Sequence, residues 1–226
     1  MHFNILTIFF FFFPGTLGAG VVGRALEKGI WSYNVINIRD FAYNSYGSVD
    51  DEQFGGGKGM VMRADVLGAA LDSIENRGRI IYFSPRGPRL DQAMVRGFAA
   101  DKDATFTLLC GRYEGIDQRI IDEYDIMELS IGDYILSGGE IAAQVFVDSA
   151  VRLIDNVVGG GESATANESF EIGGLEWPLY TRPSAWRGRN VPEVLLSGHH
   201  GNIERWRKQQ SDEITKQRRP DLIKEK

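Results

Sequence analysis

The stretch SIGDYILSGGE, from Ser130 to Glu140, ends an apolar run on two adjacent glycines and a carboxylate at the mouth of a helical pattern. Two other stretches share its plan: SPRGPRLDQ from Ser84 and CGRYEGIDQR from Cys110, each following an apolar run. Glycine at such a turn lets bare backbone approach a flat ligand without side-chain obstruction. One glycine after a strand is ordinary turn chemistry. Three successive strand ends with glycine and a polar or aromatic side chain favour a binding site. The phosphate-loop and dinucleotide fingerprints are both absent, which argues against ATP and NAD as ligands. His2, His199, His200 and Cys110 show no ligand spacing, so no zinc site is expected. Arg152 follows Asp148 by four residues, the spacing of an ordinary helix ion pair worth ~0.2–0.5 kcal/mol, and spacing alone asks no more of it. Glu162, Glu168 and Glu171 lie together in a glycine-bounded polar segment, 159–174, and composition does not choose among them.

The elements that must position these residues alternate along the chain. Strands are predicted over 3–8, 33–38, 79–83, 105–109 and 125–129, and helices over 19–28, 65–76, 90–99, 116–123 and 139–155. This alternation implies an α/β domain with a largely parallel sheet. In such sheets ligands sit beyond the carboxyl ends of strands, where glycine-rich turns enter helices. Uncovered segments as long as 159–174 are usually lids, binding loops or linkers. The domain division follows: 1–158 an α/β domain, 159–173 a flexible linker, and 174–226 a small, mostly helical domain. In the last, GNIERWRKQQ puts Ile203 and Trp206 on one inward face and sends Arg205, Arg207 and Lys208 elsewhere.

A chain of 226 residues, 43% hydrophobic and 25% charged, can bury a real core and is neither disordered nor membrane-embedded by composition. Its one cysteine excludes an intramolecular disulfide and suits a reducing compartment. The net charge of −6 hides an asymmetry. From Tyr180 onward there are 11 Lys+Arg against 6 Asp+Glu, and before it 14 against 25. A basic tail on an acidic body suits a polyanionic partner, and equally a solvated helix face. The apolar run ILTIFFFFF has no flanking positive cluster or small-residue cleavage site, and is too short to span a bilayer. Phe3 to Ile8 reads as a buried first strand, and the protein as cytoplasmic, with no membrane partner.

Beyond these patterns, VDDEQFGGGKGMVM, CGRYEGIDQR, SIGDYILSGGE, YTRP and VPEVLLSGHHGNIERWR, in this order, resemble bacterial tRNA (guanine-N1)-methyltransferase, the TrmD family. The resemblance runs from the first strand to RRPDL. It implies the SPOUT fold, an α/β methyltransferase domain with a deep C-terminal trefoil knot. It also implies a homodimer with active sites at the subunit interface, S-adenosyl-L-methionine as methyl donor, and a magnesium requirement for which the sequence shows no ligand cluster. The implied reaction is methyl transfer to N1 of guanosine 37, just 3′ of the tRNA anticodon.

By the same resemblance the three strand-end turns hold the donor. Ser130, Ile131, Gly132, Asp133, Tyr134, Ile135 and Leu136 meet its adenine and ribose, with Gly111, Gly138 and Gly139 close by and Tyr82, Pro85, Tyr113 and Glu114 completing the walls. Guanine N1 must lose a proton before it attacks, which needs a positioned base. Aligning ESF to the family's acidic-Ser-Phe pattern selects Glu168, where the family usually has aspartate. The pattern VDSAVRLID matches Arg152 to the arginine that stabilises charge developing on O6. Asp50 and the loop of Gly56, Gly57, Lys58 and Gly59 would admit the guanine, with Phe54 and Lys58 standing where the family usually has tyrosine and proline. His199, Arg205, Arg207, Lys208, Arg218 and Arg219 would face the tRNA. The FFFFF run replaces a family pattern with proline and acid near 10–12, and so either exposes apolar surface or thickens the core. Other readings are a related methyltransferase acting on another base or a ribose 2′-hydroxyl, a catalytically silent RNA-binding module, and, remotely, a small-molecule Rossmann enzyme.

Overall fold

Alternation along the strands places apolar side chains on both sides of one sheet. In β1 (His2–Thr7), Phe3 and Ile5 join one buried cluster and Leu6 joins the other. The pattern repeats in β5 (Arg79–Phe83) and β6 (Thr105–Leu109), where Ile81 and Leu108 face the first cluster and Ile80 and Leu109 the second. With β2 (Ser32–Asn37) and β7 (Met127–Leu129) they form a five-stranded sheet in the order β2-β1-β6-β5-β7, parallel throughout. Such a sheet must be covered on both faces. Helices α1 (Gly20–Glu27), α3 (Gln92–Ala99) and α5 (Glu140–Val151) cover one, and α2 (Ala64–Asp72) and α4 (Gln118–Glu123) the other. The start of the apolar N-terminal run is thus a buried inner strand, paired on both sides, and Phe10–Phe12 follow it in a 3-10 turn.

Phe146 of α5 fixes the register of the first layer. It is fully buried, with ring centroids 5.2 Å from Phe98, 5.6 Å from Phe106, 6.0 Å from Phe83 and 6.3 Å from Phe3. The contact ties α5 to three strands and α3, and so sets where the amino end of α5 emerges beyond the sheet.

The computed structural model describes residues 1–159 and 165–223. The chain divides into two compact units, Met1–Val158 and Gly159–Lys226. In the second, a hairpin of β8 (Ala185–Trp186) and β9 (Arg189–Asn190) precedes a short helix, α6 (Glu193–Leu196), and a long one, α7 (His200–Arg218). Ser211 and Thr215 of α7 are buried, and their hydroxyls bond the Leu175 carbonyl and amide at 2.6 and 2.8 Å. Ile203 and Trp206 are half-buried while Arg205, Arg207 and Lys208 are exposed, as their spacing predicts. The tight packing lies further along, at the two hydroxyl residues.

Strands 79–83 and 105–109 fall at their predicted bounds, and β1 and β2 begin one residue early. β7 is shorter than 125–129 because Asp125 adopts φ +47° and turns the chain there. The third and fourth helices start late because Asp91 and Asp117 act as caps, accepting from the amides of Met94 and Arg119. The fifth ends at Val151 rather than 155. Two hairpins were not foreseen: β8–β9, and β3 (Asp50–Glu52) with β4 (Met60–Met62). Of the phenylalanine run, Phe10 and Phe11 are 57% and 69% exposed while Phe13 is in the core, so it both exposes apolar surface and thickens the core.

Candidate active site

The three turns that follow β5, β6 and β7 are stitched to each other by backbone. The Ser130 amide donates to the Pro88 carbonyl at 2.9 Å, and the Leu90 amide to the Ser130 carbonyl at 2.7 Å. The Gly139 amide donates to the Gly111 carbonyl at 2.9 Å. That last approach requires glycine, since a Cβ at 139 would lie 2.8 Å from the Cys110 Cα. Between the turns is a cavity of about 390 Å³, within the range for a small-molecule site. Tyr82, Pro85, Gly111, Tyr113, Glu114, Ser130, Ile131, Gly132, Tyr134, Ile135, Leu136, Gly138 and Gly139 all line it, and Asp133 does not. Sequence reasoning missed Phe83, Ser84, Arg112, Gly115, Leu129, Ser137 and Ala142, which also line it.

The walls differ in character. Tyr82 is 7% exposed, and burial raises its phenol above the usual range, leaving a neutral hydroxyl on an apolar ring. Tyr113, held at φ +58°, and Tyr134 are open to solvent, and the Tyr134 hydroxyl donates to the Ile131 carbonyl at 3.2 Å. Gly111, Gly132 and Gly138 also pack too closely for a side chain, since a Cβ on them would strike Tyr82, Tyr134 and Arg112 respectively.

A buried ion pair braces this cavity. Arg112 meets Glu140, at the first turn of α5, with Nη2–Oε2 at 2.7 Å and Nε–Oε1 at 3.2 Å. The Thr7 hydroxyl at the end of β1 donates to Glu140 Oε1 at 2.7 Å, and Arg112 Nη1 donates to the Ser137 carbonyl at 3.0 Å. The guanidinium lies 4.5 Å over the Phe9 ring and 5.7 Å from that of Phe12. The charge pair therefore links β1, the turn after β6 and the turn after β7, and two phenylalanines of the N-terminal run shield it. The only sequence signal was the carboxylate closing SIGDYILSGGE. Cys110, beneath the pair, is fully buried, and burial pushes its thiol well above its ordinary value, the Glu140 charge adding to the effect.

The β3–β4 hairpin borders the same region. The Glu114 amide donates to the Met60 carbonyl at 3.0 Å and the Met62 amide to the Gly115 carbonyl at 2.9 Å, so β4 runs along the cavity wall. Its glycine tip carries Gly56, Gly57 and exposed Lys58, and Gly59 packs on the Glu114 side chain. Asp50, half-buried, opens β3, and Phe54 is 99% exposed. Arg152 caps α5, half-buried, its amide bonded to the Asp148 carbonyl. Glu168, also half-buried, belongs to the second unit; Glu162 lies outside the described residues. His199 is the residue before α7, Arg205 donates to Asn202 Oδ1, and Lys208 pairs with Asp212 at 3.2 Å. Among the described residues no three His, Cys, Asp or Glu side chains gather as a metal site, and no helix is long and apolar enough to cross a membrane.

A parallel sheet whose successive strand ends enclose a glycine-edged slot defines an α/β protein with a cavity at its carboxyl edge. The chain belongs to the tRNA (Guanine-1)-methyltransferase TrmD family, whose model matches residues 1–225. A tRNA (guanine-N(1)-)-methyltransferase of Rhodospirillum rubrum is 56% identical over 219 residues, covering 96% of this chain and 90% of that protein. Proteins of the same name from Anaplasma marginale and Cereibacter sphaeroides are 51% and 50% identical, spanning 100% and 97% of this chain and 95% and 90% of their own lengths.

Proposed function

We propose that this chain transfers a methyl group from S-adenosyl-L-methionine to N1 of guanosine 37 in tRNA. The observation that carries the reading is the slot between the three strand ends, whose bare backbone and tyrosine walls suit an adenosine. When bound, the donor supplies an electrophilic methyl whose bond to sulfur breaks as the bond to guanine N1 forms. The Glu168 carboxylate takes the N1 proton. The Arg152 guanidinium stabilises the charge that develops on O6. The β3–β4 tip, glycine-rich and bordering the slot, admits the guanine after it leaves its stack, as base modification requires. Asp50, Gly56, Gly57, Lys58 and Gly59 flank that entry, and His199, Arg205 and Lys208 face the RNA.

The finer architecture belongs to the same reading. A SPOUT fold with a C-terminal trefoil knot is supported by the segment after β7, which hydrogen-bonds first to 88–90 and then to Gly111 before entering α5. A homodimer is supported by the open apolar stripe of Ile141 and Val145 on α5. Gln144 of that helix donates to the Phe12 carbonyl, tying the helix to the run that carries the exposed Phe10 and Phe11. The enzyme acts in the cytoplasm, on tRNA with guanosine at 37. The described residues offer magnesium no cluster of carboxylates, and no step is assigned to it. Labelled methyl transfer to tRNA transcripts with G or A at position 37 tests the function: incorporation with G alone supports it, and equal incorporation into both overturns it.

A further inference from the structure

Two of the cations on and beside α7 that the sequence points toward tRNA are in ion pairs. Lys208 pairs with Asp212 and Arg219 with Asp221. Arg205 donates to Asn202 Oδ1 and the Gly201 carbonyl, and Arg207 lies 5.0 Å over the Trp177 ring. The β8–β9 hairpin is different. Arg182, Arg187 and Arg189 are exposed, and none has a carboxylate partner among the described residues. Trp186 is 60% exposed, directly opposite Arg189 in the ladder, with the Arg187 guanidinium 4.8 Å over its ring.

The turn itself is unusual. Its two central residues, Arg187 and Gly188, have φ +49° and +76°, the pattern of a tight hairpin that favours glycine, asparagine or aspartate at both positions. Arginine occupies the first although glycine would adopt that conformation at lower cost. Backbone strain of this kind, at the tip of an exposed element, is a pointer to function. Cations without counter-charges beside a large bare ring are the parts of a single-strand platform, where the ring stacks a base and the cations track the backbone. A second protein copy would ask for a broader apolar face than one indole.

We propose that the Trp186–Arg189 hairpin binds an unpaired stretch of the tRNA, Trp186 stacking on a base and Arg187 and Arg189 contacting the flanking phosphates. This rests on the tRNA-methyltransferase reading. The test is binding of an unmodified tRNA transcript to full-length wild type and to W186A, W186F and R187G between 50 and 200 mM salt. Thermal melting, sedimentation mass and donor affinity are measured on each. W186A weakens binding about 5- to 150-fold, and W186F restores most of it. R187G relieves the turn, so it melts at or above the wild-type temperature, yet it lowers the salt slope by about 0.7, one single-strand phosphate contact. A merely structural hairpin would not combine a stable fold with lost RNA affinity. Unchanged tRNA affinity and slope in all three variants, with an active wild type, overturns the proposal. So does a change in sedimentation mass with RNA affinity intact, which would assign the hairpin to a protein contact. A wild type that neither binds nor methylates tRNA overturns instead the function on which the proposal stands.

Discussion

Replacing Arg112 by methionine strands a carboxylate that water cannot reach. The Glu140 side chain is 1% exposed, and besides Arg112 the Thr7 hydroxyl bonds it. Removing one member of a buried pair costs about 3–5 kcal/mol, because the survivor stays buried and uncompensated. Arg112→Met belongs at the upper end of that range. Glu140→Met belongs near the lower end, about 3 kcal/mol, since Arg112 is 15% exposed and keeps the Ser137 carbonyl and two aromatic rings. Either loss is a large part of an ordinary domain stability of about 5–15 kcal/mol. The double variant removes both charges together, and Thr7 still accepts from the Phe9 amide at 2.9 Å, so it sits within about 1 kcal/mol of wild type. Urea unfolding of the four proteins closes the cycle, and donor titration of the same samples shows weaker binding in Arg112→Met, where Ser137 loses its anchor. Additive costs, or an Arg112→Met cost below about 1 kcal/mol, would refute the brace.

Three further outcomes follow from the same geometry. Glu168→Ala lowers turnover about 10²- to 10⁴-fold with donor affinity unchanged, and turnover at the wild-type level would remove Glu168 as the base. The raised Cys110 thiol pKa makes folding favour the protonated form, so its contribution is present below the ordinary value of 9.0 and is lost as pH climbs from there toward the folded value. The stability difference between wild type and Cys110→Ala should accordingly be flat below about pH 9 and shrink above it by up to about 1.4 kcal/mol per pH unit, as read by urea midpoints; a flat difference to pH 11 contradicts the assignment. Phe146→Ala costs about 3–5 kcal/mol in unfolding free energy and loosens the amino end of α5, so donor affinity falls with it.

The parallel sheet was legible because its strands are apolar runs closed by glycine or polar turns, and 79–83 and 105–109 are the clearest cases. The slot was legible in part, because three such turns in succession leave few places for their glycines to go. The hairpins were not, since strands of two or three residues carry no period that alternation could reveal. The Arg112–Glu140 brace was not either: its members are 28 positions apart in sequence, and each alone reads as an ordinary surface charge. The Phe9–Phe13 run looked anomalous in isolation. Its sense appears only when Phe9 and Phe12 are found over the guanidinium and Phe13 in the core. Arg152 and Glu168 entered through motif resemblance, because neither spacing nor composition distinguishes them from their acidic and basic neighbours.

The central claim is that the donor lies in the slot between the ends of β5, β6 and β7. Crystals soaked with S-adenosyl-L-methionine or its demethylated product test it most directly. The account predicts density for the adenosine against Tyr82 and the 130–139 backbone, within the cavity edged by Gly111 and Gly139. Well-ordered donor density anywhere else on the molecule, with that cavity vacant, would contradict it.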